Sequence, residues 1–151
     1  GDGSAGRDAA ASLARSAEGF LWPIQGEVIS TFGLKRSGRR NDGINVAARS
    51  GAPVRAAEDG VVIYVGDGFR SYGRMVLLRH ADGYTTAYAH NSVVLVREAQ
   101  RVARGEVIAR AGSTGAVAEP QLHFELRREG RALDPLRHLR RDTTVASRGG
   151  G

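Results

Sequence analysis

Short runs of β-branched and aromatic residues alternate with glycine-containing turns through most of the chain. Runs of this kind, bounded by Gly, Asp and Ser, are typical of β-strands. Between positions 20 and 139, no window of about 12 residues carries the apolar stripe that an amphipathic helix needs. The predicted strands are 28–32, 54–57, 61–65, 74–80, 84–90, 93–96, 106–111 and 122–127.

The turns between these runs indicate how the strands pair. Asp59-Gly60 and Asp82-Gly83 each separate two apolar runs, and Gly tolerates the positive φ of a tight hairpin. Arg128-Glu129-Gly130 predicts a third turn. Since these connections are too short for helical crossovers, we predict an all-β, mainly antiparallel domain with short loops and little helix.

The two ends of the chain differ from this pattern. Residues 1–19 are mainly Ala, Gly, Ser and Arg, with Leu13 as their one sizeable apolar side chain. Because Ala favours helix within this segment, we predict a linker or a loosely docked helix there. Residues 140–151 predict a flexible C-terminal tail. One domain is therefore expected over residues 20–139.

Composition excludes several classes of protein. With 151 residues, 41% of them hydrophobic and 25% charged, the chain can bury a core and is neither disordered nor fibrous. No apolar run approaches the roughly 20 residues that span a membrane. The absence of cysteine excludes a disulfide scaffold, a Cys-ligated zinc finger and a thiol nucleophile.

The chain is basic, and almost all of its positive charge comes from arginine. The chain carries 22 basic and 16 acidic residues, for a net charge of +6, and Lys35 is its single lysine. A basic protein can bind nucleic acid, acidic glycans or lipid headgroups, but coding bias toward arginine explains scattered charges equally well. Because the arginines form no single run and few aromatic residues lie among them, we expect no nucleic-acid partner.

Common catalytic motifs are absent from the sequence. It contains no Gly-x-x-x-x-Gly-Lys-Ser/Thr phosphate loop, no Gly-x-Ser-x-Gly nucleophile elbow and no His-Glu-x-x-His zinc helix. The four histidines are His80, His90, His123 and His138. A lone histidine on a strand is more often a surface or core residue than a ligand. The residues alone therefore predict a basic β domain and no activity.

The order of several short motifs nevertheless resembles the LytM (M23, lysostaphin-like) peptidase family. The motifs run in the family's order across residues 22–136. They are Trp22-Pro23, Asn41-Asp42-Gly43-Ile44-Asn45, Tyr84-Thr85-Thr86-Ala87-Tyr88-Ala89-His90, Gly112-Ser113-Thr114-Gly115, Leu122-His123-Phe124-Glu125-Leu126-Arg127 and Asp134-Pro135-Leu136. The resemblance implies a LytM/M23-type β-sheet domain of the duplicated-hybrid-motif kind.

Active members of that family cleave peptidoglycan cross-links with one zinc ion, and this chain departs from their residues. Asn41 and Asn45 stand where the family has the His and Asp ligands of its His-x-x-x-Asp segment. Gln121 replaces the first, catalytic histidine of the His-x-His segment. His123 matches the remaining ligand, and His90 matches the other catalytic histidine.

These substitutions imply the loss of both the metal and the reaction. A catalytic zinc ion needs three protein donors and an open position for water, and neutral amides are poor donors. Without zinc no water is acidified, and Gln121 cannot transfer a proton. We therefore expect no metal, no cofactor and no peptidase activity. The polar cluster either preserves a groove that binds a partner or merely satisfies its own hydrogen bonds.

Within the family, the motifs are most similar to the degenerate LytM domains of murein hydrolase activators of the NlpD, DipM and EnvC kind. Such proteins belong to the bacterial cell envelope and activate peptidoglycan hydrolases during division. The resemblance implies amidases as partners, with lytic transglycosylases as a second class of target. It also implies a periplasmic location, with LysM repeats and a signal or lipid anchor lying outside this fragment.

Our leading hypothesis is a non-catalytic LytM domain that binds an N-acetylmuramoyl-L-alanine amidase and relieves its autoinhibition. The expected partner contacts are Tyr72, Tyr88, His90, His123 and Arg127, because Tyr and Arg are frequent interface hot spots. For the tyrosines the alternative is ordinary strand packing, and for Arg127 it is a solvated charge. The rival functions are a residual zinc metallopeptidase and a plain peptidoglycan-binding module.

Overall fold

The computed structural model describes residues 19–141, and these residues form strands and short connections. The strands are β1 Phe20–Leu21, β2 Val28–Ser30, β3 Gly33–Leu34, β4 Arg40–Asn41, β5 Ile44–Ala47, β6 Pro53–Arg55, β7 Gly60–Gly66, β8 Arg74–Arg79, β9 Tyr84–Val94, β10 Arg101–Val102, β11 Val107–Ala111, β12 Gln121–Arg128, β13 Arg131–Leu133 and β14 Leu139–Arg140. Single 3₁₀ turns lie at Arg70–Tyr72, Ala81–Gly83 and Pro135–Arg137. Within the described range there is no α-helix, and so none that could cross a membrane.

One large sheet carries most of the strands. Its order is β10-β7-β8-β9-β12-β5-β2, while β11 pairs with both β9 and β6, and β13 pairs with β12. Every pairing in this sheet is antiparallel, and a short parallel pair of β1 with β14 brings Phe20 beside Leu139. The predicted all-β, mainly antiparallel class is confirmed. The predicted linker and tail lie almost wholly outside the described residues.

Two of the three predicted turns are confirmed. Asp82 (φ 61°) and Gly83 (φ 78°) connect β8 to β9, and Glu129 with Gly130 connects β12 to β13. The predicted hairpin turn at Asp59-Gly60 is wrong. Gly60 begins β7, and the preceding strand β6 pairs with β11 and not with β7. Glycine is required there for close packing, since a Cβ on Gly60 would lie 2.5 Å from the carbonyl oxygen of Arg79.

The main core lies on one face of the sheet, and a smaller buried cluster of Met75, Ala87 and Ala89 lies on the other. On β12, Leu122, Phe124 and Leu126 are fully buried and alternate with polar residues that face the other way. Tyr88 packs edge-on against Phe124 at a ring-centroid distance of 5.4 Å. Because successive side chains of a strand point to opposite faces, the polar residues of β12 share the face of the sheet opposite the core.

Strand β9 bends at His90, which has φ 70°. The predicted strands 84–90 and 93–96 are accordingly one strand, which the bend divides. Strand β12 pairs with β9 as far as Ala89, and β11 pairs with β9 from Asn91 onward, while β8 pairs with β9 on both sides of the bend. A left-handed residue is unusual within a strand and reverses the alternation of side chains at that point. His90 therefore reaches the open face of the sheet, although Tyr88, two residues earlier, faces the core.

Candidate functional site

A groove of about 440 Å³ lies on the open face of the sheet. Its walls come from the segment around β4, from strands β5, β9 and β12, and from the connections that precede β8 and β12. The lining residues include four of the five residues that the sequence placed in the degenerate zinc site, Asn41, Asn45, His90 and His123, with Ser30 and Tyr72 beside them.

The amides at the family's ligand positions bond directly to one another. Asn41 Nδ2 donates to Asn45 Oδ1 at 3.0 Å and to Ser30 Oγ at 2.9 Å. Asn45 Nδ2 in turn donates to Gln121 Oε1 at 2.8 Å. The backbone N–H of Gly43 donates to Asn41 Oδ1 at 3.0 Å, which fixes the orientation of the first amide and hence of the next.

His123 is held between two oxygen atoms. Its Nδ1 lies 3.1 Å from Asn45 Oδ1, and its Nε2 lies 2.8 Å from Glu125 Oε2. The Asn45 side chain therefore contacts Nδ1 and the Glu125 carboxylate contacts Nε2. Both ring nitrogens of His123 are thus occupied by protein atoms.

Glu125 organises the next part of the groove. Its Oε2 also accepts from the Tyr72 hydroxyl at 3.1 Å, and its Oε1 accepts from Arg127 Nε at 2.9 Å and from Nη2 at 2.8 Å. Burial favours the neutral acid, but the hydrogen bonds from His123 and the charge of Arg127 outweigh it and lower the pKa of Glu125. Burial, together with the Glu125 charge, raises the pKa of Tyr72 to about 12.

His90 occupies the other side of the groove. Its Nδ1 lies 2.7 Å from the carbonyl oxygen of Thr114, so Nδ1 carries the proton and donates it. Burial, together with the neighbouring His123, lowers the pKa of His90 and favours the neutral ring, although the hydrogen bond to the Thr114 carbonyl acts in the opposite direction. Its Nε2 is then a hydrogen-bond acceptor at the groove.

The structure brings together most of the residues that the sequence singled out. Asn41, Asn45, Gln121 and His123 form one hydrogen-bonded cluster, and the His90 ring lies 6.2 Å from the His123 ring. Tyr72 stacks on His123 with ring centroids 5.1 Å apart. Arg127 is connected to this cluster through its ion pair with Glu125, and its Nη2 lies 3.6 Å from Asp42 Oδ2.

Tyr88 requires a correction. We expected it among the partner contacts, but its side chain is fully buried on the core face. Its hydroxyl bonds Thr86 Oγ1 at 2.7 Å and accepts from the Ala57 N–H at 3.0 Å. No partner in the groove can reach it.

Two parts of the groove were not predicted from the sequence: Glu125 and the basic segment 35–40. Glu125 could have been noticed as an acidic residue alternating with His123 and Arg127 on one strand, since such residues share a face. Lys35, Arg39 and Arg40 also line the groove, where Asp42 is the acidic residue and pairs with Arg40 at 3.1 Å. Nothing local in the sequence indicates that this segment reaches the strands.

The residues present do not fit a zinc ion. Amide groups occupy two of the three positions that hold the ion in the family's active members, and these groups use their oxygens and nitrogens on each other. His123, at the third position, uses both ring nitrogens. Within residues 19–141, no three His, Asp or Glu side chains are grouped so that they could hold a metal.

The fold and the groove together define a class: a β-sheet domain of the zinc-peptidase type that carries amides at its ligand positions. The profile of Peptidase family M23 matches residues 39–135. The chain therefore belongs to peptidase family M23, as its motifs implied.

Curated relatives and solved structures agree with this assignment. The chain is 49% identical to the cell division protein DipM of Caulobacter vibrioides over 108 residues, which is 72% of this chain and 18% of DipM. It is 46% identical to the murein hydrolase activator NlpD of Escherichia coli over 120 residues, which is 80% of this chain and 31% of NlpD. A crystal structure of a zinc-containing peptidase from Vibrio cholerae superposes with a TM-score of 0.73 at 34% identity, covering 78% of this chain and 39% of the other. The chain thus spans less than half of each of these relatives.

Proposed function

We propose that this domain is a non-catalytic M23 homologue that activates peptidoglycan hydrolases during bacterial cell division. The names of two relatives, a murein hydrolase activator and a cell division protein, support this function. The activated enzymes would be N-acetylmuramoyl-L-alanine amidases, with lytic transglycosylases as a second class. The domain would act in the cell envelope, on the periplasmic side, close to peptidoglycan.

One observation carries the proposal: the ligand positions are closed by hydrogen bonds while the groove around them is retained. Asn45 Oδ1 accepts from both Asn41 and His123, so these side chains satisfy one another without an ion. The zinc site is lost in this proposal, and with it the activated water that the peptidase reaction needs. A preserved groove without metal chemistry suits binding better than catalysis.

The groove offers a partner a rigid surface with varied chemistry. Tyr72 presents a half-buried ring fixed by stacking and by its bond to Glu125. His90 presents an acceptor nitrogen, and Arg127 presents a guanidinium that is partly exposed. Activation would follow by population shift: the groove binds the partner's open state, and the blocking element of the hydrolase is displaced.

The test is activation of a purified amidase from the same organism on dye-labelled sacculi. The 151-residue chain should raise dye release above the amidase alone, and Tyr72→Ala should abolish the increase because it removes an aromatic ring that lines the groove. Leu95→Ala is the matched control, since Leu95 is 48% exposed and lies outside the groove lining. Dye release at the amidase-alone level with the wild-type chain would refute the function.

Two measurements separate the rival functions. Stoichiometric zinc after purification at neutral pH, with peptide cleavage that a chelator abolishes, would establish a residual metallopeptidase. Co-sedimentation with sacculi, without any effect on an amidase, would establish a plain peptidoglycan-binding module. The proposed function requires neither zinc nor cleavage by the domain itself.

A further inference from the structure

Three arginines from distant parts of the chain lie in one row across the sheet. The row follows the strand register: Arg101 pairs with Val61, Val61 with Arg79, Arg79 with Thr85, and Thr85 with Arg127. Residues paired across antiparallel strands point to the same face of the sheet. Arg127 contacts Glu125 in the groove, so the whole row lies on the groove face.

The spacing of this arginine row (Arg101, Arg79 and Arg127) is set by the sheet. Successive arginines are separated by one intervening strand, so their Cα atoms lie roughly 9–10 Å apart. The row begins at Arg127 on the edge of the groove and runs away from it to the edge strand β10. It therefore extends the groove surface in one direction.

The two outer arginines have no acidic partner among residues 19–141. Arg79 and Arg101 are both exposed, and neither forms an ion pair with any residue in the described range 19–141. Arg127, in contrast, shares its charge with Glu125 and Asp42. The row is thus more positive at its outer end than beside the groove.

An apolar strip runs alongside the arginines. In the next register row, Tyr64 pairs with Leu77, and Leu77 pairs with Ala87. Tyr64 and Leu77 are only partly buried, and Ile63 on the same strand as Tyr64 is 42% exposed. The surface next to the groove is therefore basic along one line and apolar along the adjacent line.

We propose that the arginine row docks an acidic amphipathic segment of the activated hydrolase. A helix places residues seven apart on one face at about 10.5 Å, close to the spacing of the arginines. Acidic side chains along one edge would pair with Arg79 and Arg101, while apolar side chains beside them would cover Ile63 and Leu77. A sugar polymer fits less well, because it has no apolar side chains to cover the exposed Ile63 and the partly buried Leu77. The proposal rests on the proposed function for the identity of the partner.

The test compares two double variants of the complete chain that change the net charge equally. Arg79→Glu with Arg101→Glu reverses the outer row, whereas Arg49→Glu with Arg137→Glu reverses two exposed arginines outside both the row and the groove lining. Binding to the amidase is measured by biolayer interferometry at several salt concentrations, and binding to poly-L-glutamate is measured in parallel. Circular dichroism verifies that each variant is folded.

We expect the row variant to bind the amidase at least about tenfold more weakly, with a smaller salt dependence, and to lose poly-L-glutamate binding. The control variant should stay within about twofold of the wild type. Equal affinities of the row variant and wild type, or equal losses in both variants, would overturn the proposal. Loss of sacculus co-sedimentation in the row variant, with amidase binding unchanged, would also overturn it and assign the row to peptidoglycan.

The two proposals fail in different ways. If the wild-type chain does not bind the amidase but binds poly-L-glutamate through the row, the proposed function is wrong and the acidic-segment site stands. If the amidase binds and is activated by the row variant as by the wild type, the function stands and the site is wrong. If the wild-type chain binds neither probe, both proposals are wrong.

Discussion

A single backbone N–H sets the direction of the hydrogen bonds in the groove. The Gly43 N–H requires an oxygen from Asn41, so the Asn41 amide nitrogen must face Asn45, and the Asn45 oxygen must face both Asn41 and His123. An aspartate at position 45 would accept the same bonds with a full charge. The amides at positions 41 and 45 therefore form a bonded arrangement that carries no charge at these two positions.

Restoring two ligands should restore zinc binding. With Asn41→His and Asn45→Asp, the groove regains an imidazole and a carboxylate beside His123, which is the donor set that catalytic zinc prefers. We expect the double variant to retain about one zinc ion per chain after dialysis, and we expect the wild type to retain none. Elemental analysis after purification with added zinc measures this.

Gln121→His alone serves as the control for that experiment, because position 121 is not a ligand position and should not recruit the ion by itself. If the double variant stays free of zinc while remaining folded, the groove has changed shape as well as chemistry. The close correspondence between this groove and the family's metal site would then be contradicted.

At the level of secondary-structure elements, the connection before β8 and the connection before β12 are hydrogen-bonded to each other and form one end of the groove. The Ala116 N–H donates to the carbonyl oxygen of Ser71 at 2.9 Å, and the Arg74 N–H donates to Thr114 Oγ1 at 3.1 Å. Thr114 Oγ1 also donates to the carbonyl oxygen of Asn91 at 2.7 Å, next to the bend of β9. Tyr72 and His90 are positioned by this contact between the two connections.

Gly73→Ala should disrupt that contact. Gly73 has φ 64° and ψ −140°, a conformation that is nearly restricted to glycine, and an added Cβ would lie 2.4 Å from Thr114 Oγ1. We expect a loss of about 2–3 kcal/mol in the free energy of unfolding, together with loss of amidase activation. Urea denaturation and dye release measure the two effects.

Gly51→Ala is the matched control for the steric part of the effect. Gly51 has φ 89°, but nothing lies within 4 Å of a Cβ added there. It should cost about 1 kcal/mol from backbone strain alone and should leave activation intact. Equal effects of the two substitutions would show that the contact between the connections is not needed.

At the level of the whole molecule, a buried chain of hydrogen bonds links Tyr88 in the core to the backbone just before β7. It passes from the Tyr88 hydroxyl to Thr86 Oγ1 at 2.7 Å and from Thr86 Oγ1 to His80 Nε2 at 2.7 Å. His80 Nδ1 then donates to the carbonyl oxygen of Asp59 at 2.7 Å. Because Nε2 accepts and Nδ1 donates, this chain is complete when His80 is neutral. Burial lowers the pKa of His80 to about 4, against the opposing charge of Glu58.

Stability should therefore fall as the solution becomes acidic. Between its ordinary pKa of 6.5 and its folded pKa of about 4, His80 takes up a proton in the unfolded chain but not in the folded one. The free energy of unfolding should decrease by about 2–3 kcal/mol from pH 7 to pH 4.5 through this residue. Urea denaturation at both values measures the change.

The contribution of His80 is isolated by His80→Gln, which cannot titrate. This variant should lose most of the pH dependence in that range, whatever its stability at pH 7. His138→Gln, at a partly exposed histidine, should keep most of it. An unchanged pH dependence in the His80 variant would show that another group is responsible.

The sequence by itself determined the class of fold and the loss of the zinc ligands. Strand periodicity and glycine turns are local properties, so the runs 74–80 and 122–127 could be predicted without knowing their partners. The identity of a donor atom is also local: Asn41 and Asn45 are amides in any fold. Predicting the strands and the lost ligands therefore required no knowledge of which residues lie close together in space.

Only the tertiary structure decided which side chains share a surface. Tyr88 and His90 are two residues apart and were expected together, but the left-handed bend at His90 sends one ring to the groove and leaves the other in the core. Arg101, Arg79 and Arg127 are far apart in the chain and meet through strand register alone. Register and bends depend on long-range pairing and packing, which local patterns of polarity do not specify.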